Sequence, residues 1–92
     1  MYVYFILAEG RPSRMKIGKA KNPAERLRSL QTGSPHRLSL HGFIKCKDDK
    51  TAYAIEKMLH EKFAKERKNG EWFRCTDYLM ARVMDLECSS PS

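Results

Sequence analysis

The sequence predicts a small α/β domain, a three-stranded, mainly antiparallel sheet flanked by helices in the order β-β-α-β-α-α. Three observations predict it. Tyr2 to Ala8 is an unbroken β-branched and aromatic run; Asn22-Pro23-Ala24-Glu25 is a strong helix start behind a second strand-like segment; and two later stretches carry apolar residues at helical spacing. With 92 residues the chain has room for one compact domain, read as 1–88, with 89–92 as a flexible tail. A composition of 41% apolar and 32% charged residues in regular runs predicts folding rather than disorder.

Both alternating sets of Tyr2 to Ala8 are apolar, which suits a central strand covered on two faces. Glu9 to Ser13, with Gly10 and Pro12, reads as its turn. Arg14 to Lys19 is then the hairpin partner, with Met15 and Ile17 on one face and Lys16 and Gly18 on the other. The first helix has Asn22 as N-cap, Pro23 at its first position, Glu25 reaching back, Leu27 and Leu30 as inner stripe, and Gly33 and Pro35 at its end. Arg37 to Cys46 alternates as a third strand with Gly42 as a bulge. A second helix is expected from Thr51 to Arg67, capped by Asp48 or Asp49, with Ala52, Ile55, Leu59 and Phe63 inward and Asn69-Gly70 as its stop. Thr76 or Asp77 caps a last helix that buries Leu79, Met80, Val83 and Met84.

The formal charge of +7 favours a polyanionic partner. Its placement is sharper than its sum: Arg11, Arg14, Lys16, Lys19, Lys21, Arg26 and Arg28 face a single acid, Glu25, in that segment. No segment is long enough to span a bilayer, no signal peptide is visible, and no helix joins a large apolar face to a basic one, so a membrane partner is not expected. Cys46, Cys75 and Cys88 are odd in number and widely spaced, which argues against a disulfide framework and for a reducing, cytoplasmic setting. With His36, His41 and His60 they form no close Cys-Cys or Cys-His pair of the kind zinc sites use.

Tyr4 on the first strand, Lys16-Ile17-Gly18 on the second, Gly18-Lys19-Ala20-Lys21 ahead of Arg26, the helix Ala54-Ile55-Glu56-Lys57-Met58-Leu59-His60 and the ending Asn69-Gly70-Glu71-Trp72-Phe73 share an order and spacing. Together they resemble the GIY-YIG nuclease family, in particular a phage-type subfamily with Lys-Ile-Gly in the second motif. The first motif reads Tyr2-Val3-Tyr4, and Lys16 stands where many members carry a second tyrosine. The resemblance implies a GIY-YIG-like fold and a Mg²⁺-dependent endonuclease acting on DNA, with Mn²⁺ able to substitute. It implies Tyr4 and Arg26 as catalytic residues, Glu56 as metal ligand, and Gly18, Asn69 and Trp72 as structural motif positions; by position, Lys16 beside Tyr4 and His60 one turn after Glu56 are further catalytic candidates, and Lys19, Lys21 and Arg28 in the local run of cations are candidate nucleic-acid contacts.

The residue chemistry fits phosphodiester hydrolysis on its own terms. One carboxylate can hold Mg²⁺, which completes its shell with water and phosphate oxygens, and an arginine can neutralise charge that builds on the phosphoryl group. A tyrosine with an unperturbed pKa near ~10 needs a neighbouring cation to act as a base, and Lys16 is the candidate. Each residue alone also has a structural reading: Tyr4 as a strand aromatic, Arg26 and Glu56 as solvated helix residues, His60 as a hydrogen-bonded histidine, Trp72 and Phe73 as core anchors, and Lys65, Arg67 and Lys68 as a solvated basic face. The alternative class is a nucleic-acid-binding module on the same fold without catalysis. Target choice is expected to fall to DNA structure, to a partner subunit or dimer, or to be hardly made at all.

Overall fold

A computed structural model describes residues 1–86. The Cys88 thiol and the 89–92 tail expected above lie outside the described residues. The chain forms β1 (Tyr2–Ala8), β2 (Arg14–Ala20), α1 (Pro23–Thr32), β3 (Leu38–Lys45), α2 (Asp49–Lys62), a 3₁₀ turn (Ala64–Glu66), β4 (Arg67–Asn69), β5 (Trp72–Arg74) and α3 (Asp77–Asp85).

The strands build one antiparallel sheet in the order β3-β1-β2-β5-β4. The sheet therefore has five strands, and the expectation of three is corrected. β4 and β5 have three residues each, too few for alternation to show in sequence. Asn69-Gly70, expected to stop a helix, instead ends β4 and opens a two-residue hairpin turn made of Gly70 and Glu71. Asn69 pairs with Trp72, and Gly70 takes a φ of 57°, the positive value that the first position of such turns requires. The second helix accordingly ends at Lys62, not Arg67, and the Phe63 N–H donates back to the Leu59 carbonyl to close it.

Local chemistry explains the other boundaries. The Asn22 side chain accepts from the Glu25 N–H, Asp48 from Thr51 and Thr76 from Leu79, so each helix starts with an orphan backbone donor satisfied. The β1–β3 register slips between Phe5 and Ile6, which face Gly42 and Leu40, so His41 is the extra residue of a bulge.

β1 is covered on both faces. One face carries Val3, Phe5, Met15, Ile17 and Phe73 against Ala52, Leu59 and Phe63 at α2 and Leu79 and Val83 of α3. The other carries Tyr4, Ile6, Ala8 and Leu38, with Leu27 and Leu30 of α1 and Trp72 packed on them. Met84, expected inside α3, is 77% exposed, because the helix is short and its inner stripe stops at Val83.

Candidate active site

β5 pairs with β2 only from Arg14 to Lys16. One further bond, from the Ile17 N–H to the Glu71 carbonyl at 3.0 Å, ends the ladder. Beyond it the Gly18–Ala20 edge of β2 has no strand beside it among the described residues, and side chains from both sheet faces meet there. In an antiparallel strand the N–H and C=O of one residue point to the same side, so the Ile17 carbonyl faces this opening. His60 Nε2 lies 2.8 Å from it. Since the carbonyl can only accept, Nε2 donates, and in the neutral ring the lone pair is on Nδ1.

Tyr4 sits directly opposite Gly18. A Cβ placed on Gly18 would lie 2.5 Å from the Tyr4 hydroxyl, 2.7 Å from Cζ and 2.8 Å from a Glu71 carboxylate oxygen. The glycine is therefore required by space: it is the floor on which the phenol and the Glu71 carboxylate come together. Tyr4 is 1% exposed, and burial pushes its phenol above the ordinary value of 10.0. The Arg26 guanidinium, hydrogen-bonded to the phenol from α1, opposes that rise, while the charges of Glu71 and Glu56 add to it. The phenol consequently keeps its proton at neutral pH.

Glu56 and His60 stand one helical turn apart on α2, where residues four apart share a face. With Glu71 they form a group whose potential ligand atoms lie within 4.8 Å of one another. Burial and the neighbouring Glu71 carboxylate, which also shares a hydrogen bond with it, hold the Glu56 carboxyl above its ordinary value of 4.5. Two carboxylates forced together in this way suit the oxygen preference of Mg²⁺ or Mn²⁺, so the donor set fits such an ion.

The expected residues separate into groups. Tyr4, Gly18, Arg26, Glu56 and His60 gather at the open edge. Lys16 lies on the same face but one residue pair further along, at 9% exposure, where its Nζ is 3.3 Å from Glu71 and over the Trp72 ring at 5.3 Å. The cation beside the Tyr4 phenol is thus Arg26, and Lys16 instead pairs with Glu71. Lys19 pairs with Val3, which turns it to the opposite face, where it bridges Asp49 of α2 at 2.7 Å. Lys21 and Arg28 are exposed around the start of α1. Asn69 and Trp72 belong to the short hairpin and line a cleft away from the edge.

Sequence reasoning missed Glu71 as a site residue. It lay within the Asn69-Gly70-Glu71-Trp72-Phe73 segment, but only a hairpin reading of Asn69-Gly70 could have turned its carboxylate toward Gly18.

Fold and site together define a small α/β protein with a phenol, a guanidinium and a carboxylate pair assembled at an open sheet edge. The model of the T5orf172 domain matches residues 1–87, and the chain belongs to that family. This replaces the resemblance to the GIY-YIG nucleases drawn from short motifs. Those motifs are mostly what a β-hairpin, a close-approach glycine and a capped helix require, and they do not set one family apart. Searches of curated proteins and of solved structures returned no match.

Proposed function

We propose that the chain is a divalent-metal-dependent endonuclease that hydrolyses DNA phosphodiester bonds. The observation that carries this reading is the convergence of Tyr4, Arg26, Glu56, Glu71 and His60 on one open strand edge of a strongly basic chain. Membership of the T5orf172 family, a domain associated with nuclease and DNA-binding roles, supports the same class.

Glu56 and Glu71 would hold the ion, Mg²⁺ or Mn²⁺, which when bound supplies positive charge to the scissile phosphate and the leaving oxygen. Arg26 neutralises charge on the phosphoryl oxygens as it develops, an interaction that gains strength toward the transition state. Tyr4, protonated and fixed by Arg26, orients the attacking water through its hydroxyl oxygen. His60 has Nε2 tied to Ile17, so its Nδ1 lone pair is the acceptor in the site able to take that water's proton. Lys16 holds the Glu71 carboxylate in place, and Lys21, Arg28 and, more weakly because of Asp49, Lys19 supply phosphate contacts.

A cleavage assay on plasmid, linear, branched and single-stranded DNA, with and without Mg²⁺ or Mn²⁺, tests this reading. Glu56→Ala is expected to lose divalent-dependent cutting by at least ~10²-fold while DNA binding persists. Binding without cutting on every substrate and with either ion would make the chain a nucleic-acid-binding module.

A further inference from the structure

Three arginines that the proposed centre leaves unused, Arg11, Arg14 and Arg74, lie at the other end of the same sheet face and in the turn beside it. Alternation along β1, β2 and β5 puts Tyr4, Gly18, Lys16, Trp72, Arg14 and Arg74 on one face. Past Trp72 that face opens into a cleft of about 390 Å³, lined among others by Arg11, Arg14, His36, Asn69 and Trp72, with Glu9 as its one acidic residue. A volume of this size suits a small planar ligand rather than a duplex.

Three features give the cleft a chemistry. Arg14 and Arg74 are directly opposed across the β2–β5 pair, both exposed, and neither they nor Arg11 enter an ion pair among the described residues. Like charges in that position repel, and an anion between them would relieve the repulsion. Phe73 is fully buried, whereas Trp72 is only half-buried: one part of it packs on the Tyr4 cluster and another lines the cleft. The loop carrying His36 is pinned through its backbone, by Gln31 at 2.8 Å and Ser34 at 3.1 Å, so the wall is built before a ligand arrives. An anion site beside an aromatic edge and a carboxamide matches a nucleotide whose base is out of its stack.

We propose that this cleft holds an unpaired nucleotide of the DNA strand, its base against Trp72 and Asn69 and its phosphates on Arg11, Arg14 and Arg74. From Gly18 to Arg14 is four strand residues, about 13 Å, so the cleft lies within reach of the same strand that passes the open edge. The inference rests on the nuclease reading for its biological sense and makes the substrate class DNA with a single-stranded or splayed segment.

Trp72 is the single tryptophan of the chain and reports on its own site. Fluorescence is followed in EDTA, so that cutting plays no part, with an oligothymidylate, a blunt duplex of equal length, the same duplex with a single-stranded overhang, and free dTMP. Saturable quenching by the oligothymidylate and the overhang duplex, at least ~10-fold tighter than by the blunt duplex, is expected. Arg11→Ala and Arg14→Ala, which leave Trp72 in place, should each weaken binding several-fold and flatten the salt dependence by roughly 0.7 per lost contact. Equal quenching by the blunt duplex, quenching by dTMP as tight as by the strand, unchanged binding in both variants, or no quenching would overturn the proposal. Parallel cleavage assays separate the two readings: cutting without quenching rejects the cleft alone, and quenching without cutting rejects the nuclease alone.

Discussion

Tyr4 and Phe5 are neighbours in β1, equally buried, and serve opposite ends. Phe5 points into the face closed by α2 and α3, among the buried apolar side chains of the main core. Tyr4 points to the face under α1, where Lys16 is buried beside Glu71 and an arginine reaches the phenol. Burying an ammonium is costly unless it is paired, and the Glu71 carboxylate and Trp72 ring offset that cost only together. The apolar face holds the domain together. The other face gives up apolar packing to seat a buried ammonium and a phenol, and a central strand can supply both because its side chains alternate.

The largest effect is expected at Phe5. Phe5→Ala should cost about 3–5 kcal/mol of stability, read as a drop in the urea midpoint, because it empties a site with no exposure. A loss below 1 kcal/mol would mean that face is not the main core.

Next comes Tyr4→Phe, which keeps the ring and removes the hydroxyl that Arg26 holds. Turnover should fall by about 10²-fold, some 2.7 kcal/mol, with DNA affinity and the unfolding midpoint little changed. A single-turnover rate equal to the parent's would remove Tyr4 from the chemistry.

Gly18→Ala sharpens the contrast, since the new methyl meets the Tyr4 ring and the Glu71 carboxylate but nothing on the apolar face. A stability loss of about 1–3 kcal/mol is expected, accompanied by a larger loss of cutting than that alone explains. Normal cutting in a destabilised variant would show that the close approach serves packing only.

The smallest effect concerns Asp48, whose carboxyl is held below its ordinary value of 3.8 by hydrogen bonds from Thr51. A depressed folded-state pKa gives stability that is complete above the unfolded value and lost as pH falls through the folded one. Asp48→Asn keeps a capping side chain, so the variant should match the parent at pH 7 and lose less stability than it below about pH 4. Identical acid unfolding of the two would assign that stretch of the curve elsewhere.

Much of this could be foreseen from the residues. β1 is bounded as its composition requires, the Met15/Ile17 and Lys16/Gly18 faces of β2 follow from a period of two, and Asn22 and Thr76 cap the helices they precede. Short-range chemistry decides all of these, and short-range chemistry is written in adjacent residues. Where a strand has only three residues, as in β4 and β5, that information runs out, and pairing with a neighbour already in place selects the conformation. The same holds for the site. Residue order alone shows that a phenol, an arginine, a carboxylate and an imidazole stand on elements able to meet, and that seven of the eighteen cations share one segment with a single acid. Packing of the whole domain sets where the β2–β5 pairing ends, at Lys16, which acid closes the carboxylate pair, Glu71, and that Lys16 faces Glu71 and Trp72 while Arg26 faces Tyr4. Those are contacts between residues 15 or more positions apart in sequence, and their energies depend on distance and burial, which no local pattern encodes.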